Sequence, residues 1–369
     1  MTPAGCWSCR PSTWYRAPMD FGIALAPGVD AWKTVERAER LGFSHAWFYD
    51  TQMLCADVFV AMALAAARTS KIVLGTGVLV PSNRIAPVAA NALASLNRLA
   101  PGRIVFGVST GFTARNTMGL GPMKLTELRE YVRVVRALLG GDTVECGLGG
   151  ARRKIRFLNP EAGLIDITHP IPLHLSAFAP KARALTAEIA DGWMNFVTVL
   201  PAALHEVDEM AQACRAAGRD PARLYKTGFT LGCVLREGED AGSPRARAQA
   251  GPLVPVIFHA FLERTVDPGL LPPELGEAVK AFHAQYETYT PPDARYLQLH
   301  KGHLMWVRPE EERFVTPELI RMATFTATAA ELRERVRAMA SAGYQQLAIQ
   351  VVPGQEAALE DWAELAATV

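Results

Sequence analysis

"KIVLGTGVLVPSNRIAPVAANALASLNRLAPGRIVFGVSTG", residues 71–111, is the stretch on which the fold turns. Its two ends, 71–80 and 103–108, are apolar over most of their length rather than alternating. Such runs suit strands buried on both faces of a parallel sheet. The middle, "PVAANALASLNRLAPG", opens on Pro87 and stops at Pro101 and Gly102, the punctuation of a helix. Strand, helix and strand in that order form a parallel crossover unit.

The same alternation extends both ways along the chain. Upstream lie an apolar run "FGIALAP" (21–27) and a helical pattern in which Trp32, Val35, Ala38 and Leu41 share a face before Gly42. "HAWFYD" (45–50) and the apolar helix "DVFVAMALAAARTS" follow. Downstream, "KLTELREYVRVVRALLGG" puts Leu125, Leu128, Tyr131, Val132, Val135, Leu138 and Leu139 on one helical face. The basic "ARRKIRF" reads as a hairpin-like insertion. Then come "IPLHLSA", a helix over 181–190, "GWMNFVT", a helix over 201–217 and one strand "YKTGFTLGCVLR". The helix "TAAELRERVRAMASAG", the strand "YQQLAIQVVP" and a helix over 355–367 close the chain.

Eight β-then-α units predict an α/β fold, a (β/α)8 TIM barrel, which typically takes about 250 residues. The chain has 369. The surplus falls at 238–325, a long insertion between strand seven and its helix. A doubly wound sheet would need G-x-G-x-x-G after the first strand, and "ALAPGVDAW" is not one. The expected organisation is a flexible arm over 1–19, with Met19 an alternative start, and a single barrel domain over 20–369 carrying 238–325 as a lid.

Composition narrows the function. Half the residues are hydrophobic and the formal net charge is +1, which gives no electrostatic footprint for nucleic acid. No apolar run reaches the roughly 18 residues of a membrane span, and the first residues lack the apolar core of a secretion signal. A cytoplasmic protein with a small-molecule substrate, acting as a homo-oligomer, is expected. Six cysteines in this length make no disulfide framework. Cys6 and Cys9 form C-x-x-C without the preceding strand of a redox motif or a second pair for zinc, so a chance pair in the arm is favoured.

In such barrels the site lies at the C-terminal strand ends. Those ends carry Asp50-Thr51-Gln52, Gly75-Thr76-Gly77, Ser109-Thr110-Gly111, Ser176-Ala177 and Asn195. Small polar residues and glycines let backbone approach a flat ring closely. The "GFTAR" turn and the helix start after it suit an anion. The residues leave two readings open, a cofactor-holding mouth and an ordinary polar turn.

Four stretches carry a resemblance: "LGFSHAWFYD", residues 71–111, "KLTELREYVRVVRALLGG" and "ARALTAEIADGW". The chain resembles the luciferase-like monooxygenase superfamily, within it the deazaflavin-dependent reductases related to methylenetetrahydromethanopterin reductase. The likeness covers about residues 20–200 and returns at the final helix–strand–helix. It implies a barrel holding coenzyme F420, or alternatively FMN, at the strand tips. It implies a non-prolyl cis peptide around Gly77-Val78 behind the ring, with Thr76 beside it. It places Thr110, Gly111, Thr113 and Ala114 in the cofactor loop with Ser109, and Asp50 as a cofactor-facing acid.

Two departures stand out. Many relatives have Ser-Gly-Pro after the fifth strand, whereas this chain has "SAFAPK", with Phe178 and Ala179 in place of Ser and Gly, so the expected cofactor contacts at Ser176, Ala177, Phe178 and Ala179 are either altered or, for the phosphate, moved to Ser176 and the helix after Pro180. Some deazaflavin enzymes follow the second-strand acid with histidine, where this chain has Thr51.

The insertion carries "YLQLHKGHLMWVRPEEERF". A metal needs a third ligand beside His300 and His303, and none is evident in the sequence, so no metal is expected. The histidines are either structurally bonded or, in a lid over the mouth, a proton donor for the reduced substrate. Pro272, Pro273, Pro291 and Pro292 bracket the helical "ELGEAVKAFHAQYETY" of that lid. Asp50 is then the group that orients ring or substrate. Hydride transfer between F420 and an organic substrate is the leading function. An FMN monooxygenase and an accessory barrel without cofactor are the alternatives.

Overall fold

The computed structural model describes residues 19–263 and 275–369. The expected arm with Cys6 and Cys9, and the bracketing Pro272 and Pro273, lie outside the described residues. Eight parallel strands close a barrel. They are β1 (Asp20–Leu25), β2 (His45–Phe48), β3 (Val73–Thr76), β4 (Ile104–Val108), β5 (Leu173–Ser176), β6 (Gly192–Phe196), β7 (Tyr225–Thr230) and β8 (Gln346–Val351). Each pairs with its sequence neighbour, and β1 closes on β8.

The whole-length apolar character of the strands has two destinations. Outward residues such as Ile23, Leu74, Phe106 and Leu347 join Val35, Met62, Leu93 and Leu128 of the surrounding helices in one large core. Inward residues Ala24, Trp47, Val105, Met194, Phe229 and Ala348 fill the barrel itself. Trp47 is the bulky member, and glycine opposite it is a steric requirement. A Cβ on Gly75 would lie 2.4 Å from the Trp47 ring, and one on Gly107 only 1.9 Å from the Thr76 carbonyl oxygen.

The expected hairpin is present as antiparallel Val144–Leu148 and Ala151–Ile155. Gly149 and Gly150, with φ of 59° and 77°, form its turn. Among the described residues no helix is long and apolar enough to cross a membrane.

The seventh strand differs from its reading. "YKTGFTLGCVLR" is one apolar run, but β7 ends at Thr230 and Gly232–Leu235 leaves the barrel to pair in parallel with Phe325–Thr328. Gly232 permits this, because a Cβ there would meet the Phe325 carbonyl oxygen at 2.2 Å. The small sheet ties the two ends of the insertion together. Beyond it the insertion has its own core, in which the rings of Phe258, Phe282 and Phe314 pack with centroids 5.1–5.4 Å apart.

Candidate functional site at the barrel mouth

The mouth is built by strand ends that turn sharply over the barrel. The Gly77–Val78 peptide is cis, as the family resemblance implied. Around it the backbone is stitched by hydrogen bonds. Gly77 N–H donates to the Phe48 carbonyl at 2.7 Å, and Leu79 N–H to the Gly107 carbonyl at 2.8 Å. Thr76 is fully buried and its hydroxyl donates to the Gly107 carbonyl at 2.6 Å. Ser109 Oγ donates to the Ser176 carbonyl at 2.9 Å, joining β4 to β5. Gly77, Val78, Ser109, Thr110 and Ser176 are half-buried, forming a floor of small side chains at the rim. Ala177 is buried and its carbonyl accepts from Trp193 Nε1 at 2.8 Å.

Gly111 turns the chain with φ of 77°, into the short helix Phe112–Asn116 that carries Thr113 and Ala114. The Ala114 carbonyl accepts from Gln52 Nε2 at 2.9 Å, which bridges to the loop after β2. After β5, Phe178 is 54% exposed and Ala179 precedes the helix Pro180–Ile189. The Phe178 carbonyl accepts from Arg183, which also pairs with Glu209 at 2.7 Å.

Asp50 is buried and wholly engaged with protein. Its carboxylate accepts from Arg84 at 2.8 and 2.9 Å and from Val80 N–H at 3.0 Å. It thereby fixes the loop that follows β3. Arg84 also pairs with Asp57. Sequence reading missed Arg84, because an arginine in a polar loop carries no signal of its buried partner.

The insertion meets the mouth directly. His303 Nε2 lies 3.4 Å from Thr113 Oγ1, and Gln350 Nε2 at the end of β8 donates to the Leu304 carbonyl at 2.6 Å. His300 is buried one step behind, with Nε2 2.7 Å from Glu263 Oε1 in an ion-pair contact that is not aligned as a hydrogen bond. The third histidine that the sequence did not reveal is His259. One potential ligand atom from each of His259, His300 and His303 lies within 4.8 Å of the others. The signal was in "FHAFLE", where His259 and Glu263 stand four residues apart, one helical turn. Burial holds both His259 and His303 below the ordinary histidine value, His303 well below it, and the neighbouring histidines add to the shift.

The closed parallel barrel carries small residues at its strand ends and a histidine-bearing insertion against them, and enzymes built on such barrels place their sites at those ends. The luciferase-like monooxygenase family model matches residues 21–346, and the chain belongs to that family. It is an oxidoreductase of this kind. It is 29% identical over 247 residues to a 5,10-methylenetetrahydromethanopterin reductase of Methanolobus tindarius, covering 63% of this chain and 69% of that one. It is 28% identical over 268 residues to an F420-dependent hydroxymycolic acid dehydrogenase of Mycobacterium tuberculosis, covering 66% and 70%. The fold superposes on the coenzyme F420-dependent tetrahydromethanopterin reductase of Methanopyrus kandleri with a TM-score of 0.68 at 20% identity, covering 94% and 98%.

Proposed function

We propose that the chain transfers a hydride between coenzyme F420 and a small organic substrate held under the insertion, which acts as a lid. The observation that carries this is the floor of small, half-buried residues at the strand ends, Gly77-Val78 and Ser109-Thr110, with Thr113, in the loop that follows, 3.4 Å from His303 of the insertion. The F420 dependence of the hydroxymycolic acid dehydrogenase relative supports the choice of cofactor. A flat ring needs a floor without large side chains, and this one has none at those positions.

Coenzyme F420, when bound, supplies or accepts the hydride. Thr110 and Thr113 would hold it on one side and Ser176, Phe178 and Ala179 on the other, with Gly77 and Val78 beneath, while the buried Thr76, Gly111, Ala114 and Ala177 support these positions from behind. Asp50 acts as a positioning residue, since its carboxylate holds Val80 and Arg84. The lid histidines meet the charge that hydride transfer leaves on a substrate oxygen, with His303 nearest the mouth and His300 behind it. We also propose a homo-oligomer, because Val60, Leu64, Ile85 and Val88 project 37–58% exposed from neighbouring helical segments.

Binding of F420 and of FMN, each followed by absorbance, tests the cofactor. F420 binding is expected, whereas tight FMN binding with oxygen uptake by the reduced complex would favour the monooxygenase instead. Single-turnover loss of reduced F420 absorbance then tests the residues. His303→Gln is expected to slow the step more than His300→Gln. Wild-type rate and pH profile in both variants would remove the lid histidines from the chemistry.

A further inference from the structure

The histidine trio of the insertion is built in a way the hydride reading does not require. The apolar helix Val254–Leu262 presents His259, with Glu263 at its C-terminal end. The chain after the helix Tyr296–Leu299 turns back through Gly302, with φ of 77°, and brings His303 to the same point as His300. His259 and His300 are 3% and 2% exposed. Each ring has one polar neighbour near Nε2, although Nε2 of His259 and of His300 makes no hydrogen bond to it. These are Glu311 Oε1 at 3.6 Å from His259, Glu263 Oε1 at 2.7 Å from His300 and Thr113 Oγ1 at 3.4 Å from His303. The Nδ1 atoms of all three have no hydrogen-bond partner among the described residues. Leaving one buried polar atom unpaired costs about 1–3 kcal/mol, so three together call for a shared occupant.

We propose that His259, His300 and His303 bind one divalent cation of the zinc class, with Glu263 orienting His300 from behind. Neutral imidazoles are the ligating form. Small ring rotations bring nitrogens within 4.8 Å of one another to the roughly 3.4 Å separation that a tetrahedral site with bonds of about 2.05 Å demands. A carboxylate behind a ligating histidine fixes ring orientation and raises its basicity. Three protein ligands leave a fourth position for an oxygen donor. Beside Thr113, that position suits a substrate bearing a hydroxyl or carbonyl oxygen. The inference goes beyond the hydride reading and depends on the lid geometry, not on which cofactor binds.

The test uses the full chain with Cys6→Ser and Cys9→Ser, so that no C-x-x-C thiolate competes, after chelator treatment. Titration with cobalt(II) should give one equivalent of bound metal. Its visible d–d absorption should lack thiolate charge transfer, and equimolar zinc should displace it. Zinc should also raise the melting temperature. His259→Ala and His303→Gln should abolish stoichiometric binding, Glu263→Gln should weaken it about 10–100-fold, and His205→Ala, on an exposed helix position, should leave it unchanged. Binding that survives either histidine variant, or no saturable cobalt binding by the parent protein, overturns the proposal. If His259→Ala fails to fold by circular dichroism, His303→Gln, in a turn at the rim, decides. All readouts are independent of F420, so failure of the cofactor reading and failure of this one are separately visible.

Discussion

Two groups of buried and half-buried histidines sit in this molecule, and they are enclosed for different ends. At the N-terminal end of the barrel, His45 and His174 lie among Trp47 and Tyr225, with ring centroids 5.6–6.0 Å apart. Burial pushes His45 down to about 4 and His174 down to about 3, the latter helped by its neighbour His45. These imidazoles are flat packing pieces in a layer held by Trp47 Nε1 donating to Gln346 at 2.8 Å. In the insertion the three rings converge edge and face around one point, with centroids 5.6–6.0 Å apart and carboxylates behind. Burial lowers imidazole pKa values in both settings, at His45 and His174 in the barrel and at His259 and His303 in the insertion. Burial and a lowered pKa therefore do not mark a site, whereas the convergence of unengaged nitrogens does.

The largest expected effect falls on the barrel group. Trp47→Ala removes the fully buried ring that separates the histidines from the mouth, and about 3–5 kcal/mol should be lost in denaturant unfolding. A loss under 1 kcal/mol would mean that the barrel interior collapses around the cavity. In the insertion, Arg308→Met should cost a similar or slightly smaller amount, about 3–5 kcal/mol. It leaves Glu311, 2% exposed and otherwise paired with Arg308, uncompensated beside His259. That loss should appear first as proteolysis within 238–325, with barrel amides still protected against hydrogen exchange. Simultaneous loss of barrel protection would show that the two regions unfold as one.

The pH dependence distinguishes the groups further. A histidine whose folded pKa is depressed binds its proton more readily when unfolded. Stability is then complete above about 6.5 and lost as pH falls toward the folded value. For His174, held near 3, that amounts to about 2 kcal/mol lost by pH 5. His174→Gln should flatten this slope in unfolding measured from pH 7 to 5, and an unchanged slope would assign it elsewhere. If zinc occupies the lid, added zinc should sharpen the acid loss of insertion protection while leaving the barrel slope alone. The smallest effect is at the seam between the regions. Thr113→Val removes one long contact to His303 and should cost about 1 kcal/mol or less, read as faster exchange in the 300–306 turn.

The sequence alone determined the barrel. Period, strand length and Pro–Gly punctuation are local properties, and parallel strands buried on both faces have few other ways to hide eight apolar runs. The same local logic located the strand ends, and it read the hairpin from its basic run. It failed where a partner lies far away in the chain. The run 225–236 looks like one strand, and only the Phe325 backbone explains why it divides at Leu231. Asp50 reads either as a cofactor-facing acid or as a strand-end group holding an arginine or backbone N–H groups, and only the fold names Arg84 and Val80 as its partners. His300 and His303 read as a pair until the helix carrying His259 and Glu263 packs beside them. Tertiary structure decided these because hydrogen-bonding and ligand geometry depend on distances of a few ångströms between segments that the sequence keeps tens of residues apart.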